Sequence, residues 1–140
     1  MKTKVVISVL AVTVLNFCLG WLLYGIVLAG FYKDHTIAYT GLLKDPPNIL
    51  AIFVSTFAYA CMLIYVLHSI ASARTFGKGA VIGLIIGFLM SVSYDLSMYG
   101  MMNLYAKRLV LVDIFVGTIM AGLVAGIAAW ILGIKKKETE

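Results

Sequence analysis

Apolar positions fall into four long runs separated by short polar breaks. Val5–Phe31 carries no charge, Ile49–Ala73 only His68, Gly79–Met102 only Asp95, and Leu109–Ile134 only Asp113. Each run reaches the length of about 20 residues that crosses about 30 Å of hydrocarbon. None alternates with period two, so each is predicted as a helix, which satisfies its own backbone hydrogen bonds in lipid. The short links Arg74–Lys78 and Asn103–Arg108 predict antiparallel neighbours. The longer link contains Pro46-Pro47, a pair that stops a helix and sets the start of the second span. The expected fold is an all-α membrane protein, one domain built as a four-transmembrane-helix antiparallel bundle. Its spans cover about 5–31, 49–73, 79–102 and 109–134, with an outer loop at 32–48 and a tail at 135–140.

Composition narrows the class. Residues of the AVILMFWYC set make up 63% of the 140-residue chain and charged residues 12%, against about half and about a quarter in soluble domains. Too little charge is present to cover a soluble core. The net charge of +5 does not argue for nucleic acid, because the basic residues flank apolar runs. One side of the expected bundle holds Lys2, Lys4, Arg74, Lys78 and Lys135–Lys137, and the other holds Lys33, Lys44, Lys107 and Arg108. The excess on the first side places both termini in the cytoplasm. Lys135–Lys137 are expected to touch anionic lipid. Met1–Lys4 resembles the start of a signal peptide, but the apolar run behind it is too long, so an uncleaved span is expected. Cys18 and Cys61 fall inside spans and read as small apolar packing residues.

Helices in lipid associate through close packing of small residues. Gly79, Gly83, Gly87 and Ser91 are four apart on the third span. Gly117, Ala121, Ala125 and Ala129 are four apart on the fourth, with Gly122 and Gly126 alongside. The first span carries the shorter series Asn16, Gly20, Tyr24. These stripes predict helix contacts within the chain or at a homodimer interface.

Both membrane aspartates extend a stripe. Asp95 and Tyr99 follow Ser91, and Asp113 precedes Gly117. Asp95 lies sixteen residues past Gly79, about 24 Å along a helix of about 1.5 Å rise. Asp113 lies four residues past Leu109, about 6 Å below the far edge of a core about 30 Å thick. The two carboxyls therefore belong to one layer. Asn16, Tyr24 and Tyr94 approach it, as do Ser55, Thr56 and Asn103. Ionisable residues at such depth are functional candidates, and two carboxylates that meet share a proton or a cation. In the alternative, Asp113 pairs near Arg108, and Asp95 bonds Tyr, Ser or Asn side chains across the bundle.

The two histidines lie on opposite sides, so no joint metal site is expected. Trp21 and Trp130 read as interface anchors. No phosphate loop, H-E-x-x-H or nucleophile elbow occurs, so no catalytic residue, metal or cofactor is assigned.

Two families of small bacterial four-span proteins resemble this chain. Asn16, Gly20-Trp21 and Tyr24-Gly25 are similar to the first helix of DUF1761, although Trp21 and Tyr24 are separated where that family has them adjacent. Tyr94-Asp95-Leu96-Ser97-Met98, followed by Asp113 and Gly117, is similar to the Tyr-Asp-Leu-Thr-Asn stretch and the Asp and Gly of DUF2177. The chain departs from that pattern at Ser97, Met98 and Val116. Both families are uncharacterised. The resemblance implies a bacterial inner-membrane helix bundle and no chemistry.

The expected role is structural or accessory. It acts through helix packing in the bilayer, with a homodimer or another membrane protein as partner and no nucleic acid. A proton- or cation-linked transporter or ligand-binding protein using Asp95 and Asp113 is the alternative, and a membrane-embedded enzyme ranks last.

Overall fold

The computed structural model describes residues 2–42, 44 and 46–134. Its helices are α1 (Lys2–Leu22), α2 (Ala29–His35), α3 (Ile49–Tyr65), α4 (Phe76–Met101) and α5 (Lys107–Gly133). The protein is an all-α membrane bundle. Four of its helical segments are long and apolar enough to cross a membrane: Thr3–Val27, Ile49–Ile70, Phe76–Met101 and Lys107–Gly133. Large apolar side chains such as Val6, Leu50, Phe88 and Trp130 point outward. That surface would be costly in water and is neutral in lipid. Cys18 and Cys61, which read as small packing residues within spans, lie on this exposed surface.

The spans differ in detail from the apolar runs. The first ends at Val27, four residues early. A π turn over Leu23–Val27 closes with the Leu28 N–H donating to the Leu23 carbonyl at 2.7 Å. Leu28 then leaves helical geometry (φ −101°, ψ 0°), and α2 starts afresh. Tyr32–His35, expected in the loop, are therefore helical. The second span ends in a similar π turn, Val66–Ile70. Ser72 then takes a left-handed φ of 49°, and the Ala73 N–H reaches back to the Leu67 carbonyl at 2.8 Å. The start of α3 follows the proline pair, where the Asn48 side chain accepts from the Ala51 N–H at 3.0 Å.

Contacts fix the layout. The ring of Phe17 meets Phe53 at 5.9 Å, so α1 and α3 run antiparallel. Lys4 donates to the Ile134 carbonyl at the end of α5, so α1 and α5 are antiparallel as well. This places a cation on the negative end of the α5 dipole. The packed interior is shared by α1, α3 and α5 through Val12, Ala60, Leu63, Leu67, Val124 and Ala128. The shortness of Arg74–Lys78 predicts that α3 and α4 pack together, but they share only incidental contact. Instead α4 lies along α5, because the matching small residues are there.

That pairing is tight. A Cβ on Gly79 would strike the Ala125 carbonyl and the Ala129 methyl. One on Gly83 would strike the Ala125 methyl and the Ala121 carbonyl, and one on Gly87 the Ala121 methyl. On α5, a Cβ on Gly122 would lie 2.8 Å from Leu84, and one on Gly126 would lie 2.6 Å from the Phe76 ring. Dispersion across this approach holds α4, since apolar area alone gains little in lipid.

At the opposite end of the bundle from Lys4, two links pair. The Ile37 N–H donates to the Leu104 carbonyl and the Ala106 N–H to the His35 carbonyl, both at 2.9 Å. Gly41 (φ +78°) turns the chain there, closing a turn in which the Leu42 N–H reaches the Tyr39 carbonyl at 3.1 Å.

Gly83→Ala should destabilise the detergent-solubilised protein by about 1–3 kcal/mol, the usual range for overpacking, and Gly83→Leu by more. Gly100→Ala, whose Cβ meets nothing within 4 Å, should leave the melting temperature unchanged. Equal melting temperatures for the Gly83 and Gly100 variants would show that α4 does not need the close approach.

Candidate functional site

The glycine–alanine register continues upward into polar residues. Past Gly87 and Ala121, Ser91 lies against Gly117, where an added Cβ would be 2.7 Å from the serine Oγ. One turn further on each helix, Asp95 and Asp113 line a common cleft of ≈ 380 Å³ and are close enough to interact. The floor is α5. One wall is α4. The other is built from Asn16 and Tyr24 of the first span and Tyr59 of α3. Since α4 packs on α5 alone, the gap between α4 and the α1–α3 pair stays open on its side. Met90 and Tyr94, both exposed, form its lip.

The two carboxyls differ in surroundings. Asp113 is half-buried and accepts from the Tyr32 hydroxyl. It does not pair with Arg108, whose side chain is exposed. Tyr24 meets Tyr32 edge to face at 5.4 Å. The π turn and the break at Leu28 make this geometry, because they re-aim the chain so that α2 folds over the top of α5. Burial first, then the hydrogen bond to Asp113 and after it the Asp113 charge, hold the Tyr32 phenol above its ordinary pKa, so it remains a protonated donor at physiological pH. Asp95 is only 7% exposed and meets no hydrogen-bond donor among the described residues. The side chain it interacts with is the other carboxyl. Two carboxylates only accept hydrogen bonds, so joining them takes a proton or a cation.

Above the cleft, under the paired links, lies a larger cavity of ≈ 770 Å³ bounded by Tyr24, Tyr32, Lys33, Tyr39 and Tyr105. Tyr24 lines both spaces, so the Tyr24–Tyr32 pair stands between the upper cavity and the carboxyls.

Not every expected residue gathers here. Asn16, Tyr24, Tyr94, Asp95 and Asp113 do. Tyr99 faces a different cavity with Asp34 and His35 and is 45% exposed, because a four-residue step overshoots the 3.6-residue turn and the stripe drifts around the helix. Asn103 lines that second cavity too. Ser55 is exposed, and Thr56 donates to the Phe53 carbonyl of its own helix at 2.8 Å. Tyr32 and Tyr59 were not anticipated. Tyr32 had a signal, since it extends the series Asn16, Gly20, Tyr24 by two further steps of four. Tyr59 had none beyond being a tyrosine within an apolar run. His35 stacks on Phe31 at 4.2 Å, and its Nδ1 lies 2.9 Å from the Phe31 carbonyl. Among the described residues no three His, Cys, Asp or Glu side chains cluster as a metal site would require.

Fold and cleft together define a helical membrane protein with four candidate spans and two carboxyls lining a cleft inside the bundle. The chain belongs to the DUF2177 family, described as "Predicted membrane protein", whose model matches residues 5–130. The match covers both halves, so the first-half likeness to DUF1761 has no separate support. No curated protein and no solved structure matches the chain.

Tyr32→Phe removes the hydrogen bond that α2 gives to Asp113. It should cost about 1.5–3 kcal/mol, the range for bonds to charged groups, and should speed proteolysis of 36–48 by releasing α2. A variant as stable and as resistant as the parent would show that the hydroxyl does not hold α2.

Proposed function

We propose that this protein binds a proton or a cation at the Asp95–Asp113 pair, as a small binding or transport component of the membrane. The observation that carries this reading is the buried, donor-less Asp95 beside a second carboxyl. A purely structural role would place Asp95 on Ser, Tyr or Asn side chains across the bundle, and it has no such bond. The α4–α5 contact from Gly79 to Ser91 also does not need the carboxyls. Four short helices leave little room for alternating access within one chain, so transport would engage a second copy or another membrane protein.

The same proposal includes an orientation. Both termini lie in the cytoplasm of a bacterial inner membrane, and the paired-carboxyl cleft opens toward the outer leaflet. Support comes from the surplus of Lys and Arg on the side of Lys2, Lys4, Arg74 and Lys78. Lys135–Lys137, which add to that surplus, lie outside the described residues. Tags at each terminus should be protected from protease added to intact spheroplasts. A protected 36–48 segment would reverse the assignment.

Asp95→Asn and Asp113→Asn test the site itself. In infrared titrations of the purified protein, a protonated-carboxyl band should persist above about pH 5, where exposed carboxyls are ionised, and should move to lower pH in each single variant, because the two groups titrate as a unit and a lone carboxyl ionises more easily. Both variants should keep their helical content and melt no lower than the parent by more than about 1 kcal/mol, since each removes a buried charge. A band that titrates at the parent's pH in both variants would end the proposal.

A further inference from the structure

Resting on that carboxyl reading, we infer that the cation taken by the cleft is a membrane-partitioned organic monocation, entering sideways between α1 and α4. Four features of the cleft point to it. No lysine, arginine or histidine lines it, while Asp95 and Asp113 do, so its potential favours a cation. Its volume of ≈ 380 Å³ lies within the range of about 300–1,000 Å³ typical of organic ligands. A bare calcium ion would instead need about six to eight converging oxygens, and the walls are mostly methionine, alanine, glycine and tyrosine. Three tyrosines, Tyr24, Tyr59 and Tyr94, stand on three different helices around the pair, and aromatic faces attract organic cations, more strongly when dry. The opening, finally, is lateral. Met90 and Tyr94 at the lip belong to the middle and upper parts of α4, within a membrane-spanning segment, so the entrance meets lipid before water.

The energetics fit this occupant. A quaternary ammonium is weakly hydrated and loses little on leaving water, and Asp95, which has no donor, gains the opposite charge that it lacks. The cation takes the place of any proton shared by the pair, and that proton leaves past Tyr24 and Tyr32 toward the upper cavity. Proton and cation therefore compete for the same oxygens, and raising the pH tightens cation binding. The titratable groups around the pair are Tyr24 on the first span, Tyr32 on α2, Tyr59 on α3, Tyr94 on α4 and Tyr105 in the link before α5. Tyrosine hydroxyls ordinarily ionise near pH 10, about two units above the range tested, so the carboxyls alone set that dependence.

The test uses the full chain, purified in detergent, with benzyltriethylammonium as the probe; it has no ionisable proton of its own to confuse proton counts. Calorimetry in two buffers of different ionisation enthalpy reads affinity and protons released, with sodium chloride titrated as a parallel arm. The expected result is saturable binding that releases up to one proton and strengthens from pH 6 to pH 8. Asp95→Asn or Asp113→Asn should weaken it by about tenfold or more, a change of at least about 1.4 kcal/mol. Tyr94→Ala, at an exposed position that does not support the fold, should weaken it severalfold while leaving the carboxyl infrared band in place. Equal binding by the aspartate variants would mean partition into detergent or protein surface and would overturn the inference. Absence of probe binding, with the carboxyl band still titrating or sodium still bound, would overturn the organic ligand and leave the paired-carboxyl reading standing. Absence of probe binding and of any carboxyl band that persists above the ordinary carboxylate range would overturn both.

Discussion

Two helix backbones can touch only where no side chain stands between them. In lipid that contact is also what holds them, because burying leucine against leucine gains little over burying it in acyl chains. Here Gly79, Gly83 and Gly87 of α4 meet Ala121, Ala125 and Ala129 of α5 so closely that a single added methyl would enter a carbonyl oxygen or a facing methyl. Once Gly83 is seated against Ala121 and Ala125, Ser91 falls at Gly117, and Asp95 falls beside Asp113. The carboxyl pair is thus a product of packing several turns away.

The same contact explains the open side of the molecule. α5 is the shared partner: α4 binds one of its faces while α1 and α3 form the packed interior on the other. α4 makes no comparable contact with α1 or α3, and the space left between them is the cleft. The π turn at Leu23–Val27 and the break at Leu28 complete it from above, bringing Tyr32 onto Asp113 and Tyr24 to the rim. A helix running straight to Phe31 would carry the Tyr32 hydroxyl elsewhere.

Much of this was legible in the residues. The four apolar runs, the glycine and alanine steps of four and the equal depth of the two aspartates all follow from helix geometry, which is local and regular. What was hidden depended on competition between partners. The short link before α4 argues for packing on α3, but link length only limits separation, while the glycine–alanine match decides which partner wins. Tyr99 was misplaced because steps of four drift on a 3.6-residue helix. Tyr32 was misplaced because no proline or charge marks the break at Leu28, and the π turn there rests on backbone hydrogen bonding that no side chain announces.

The most direct test of the account is cross-linking at the register it depends on. With Cys18→Ala and Cys61→Ala as background, Asp95→Cys and Asp113→Cys together should form an intramolecular disulfide rapidly under mild oxidant in native membranes. Asp95→Cys with Phe115→Cys, a position on the outward face of α5, should not. Failure of the 95–113 pair to link, or equal linking by both pairs, would mean that α4 and α5 do not hold the register that brings the two carboxyls together.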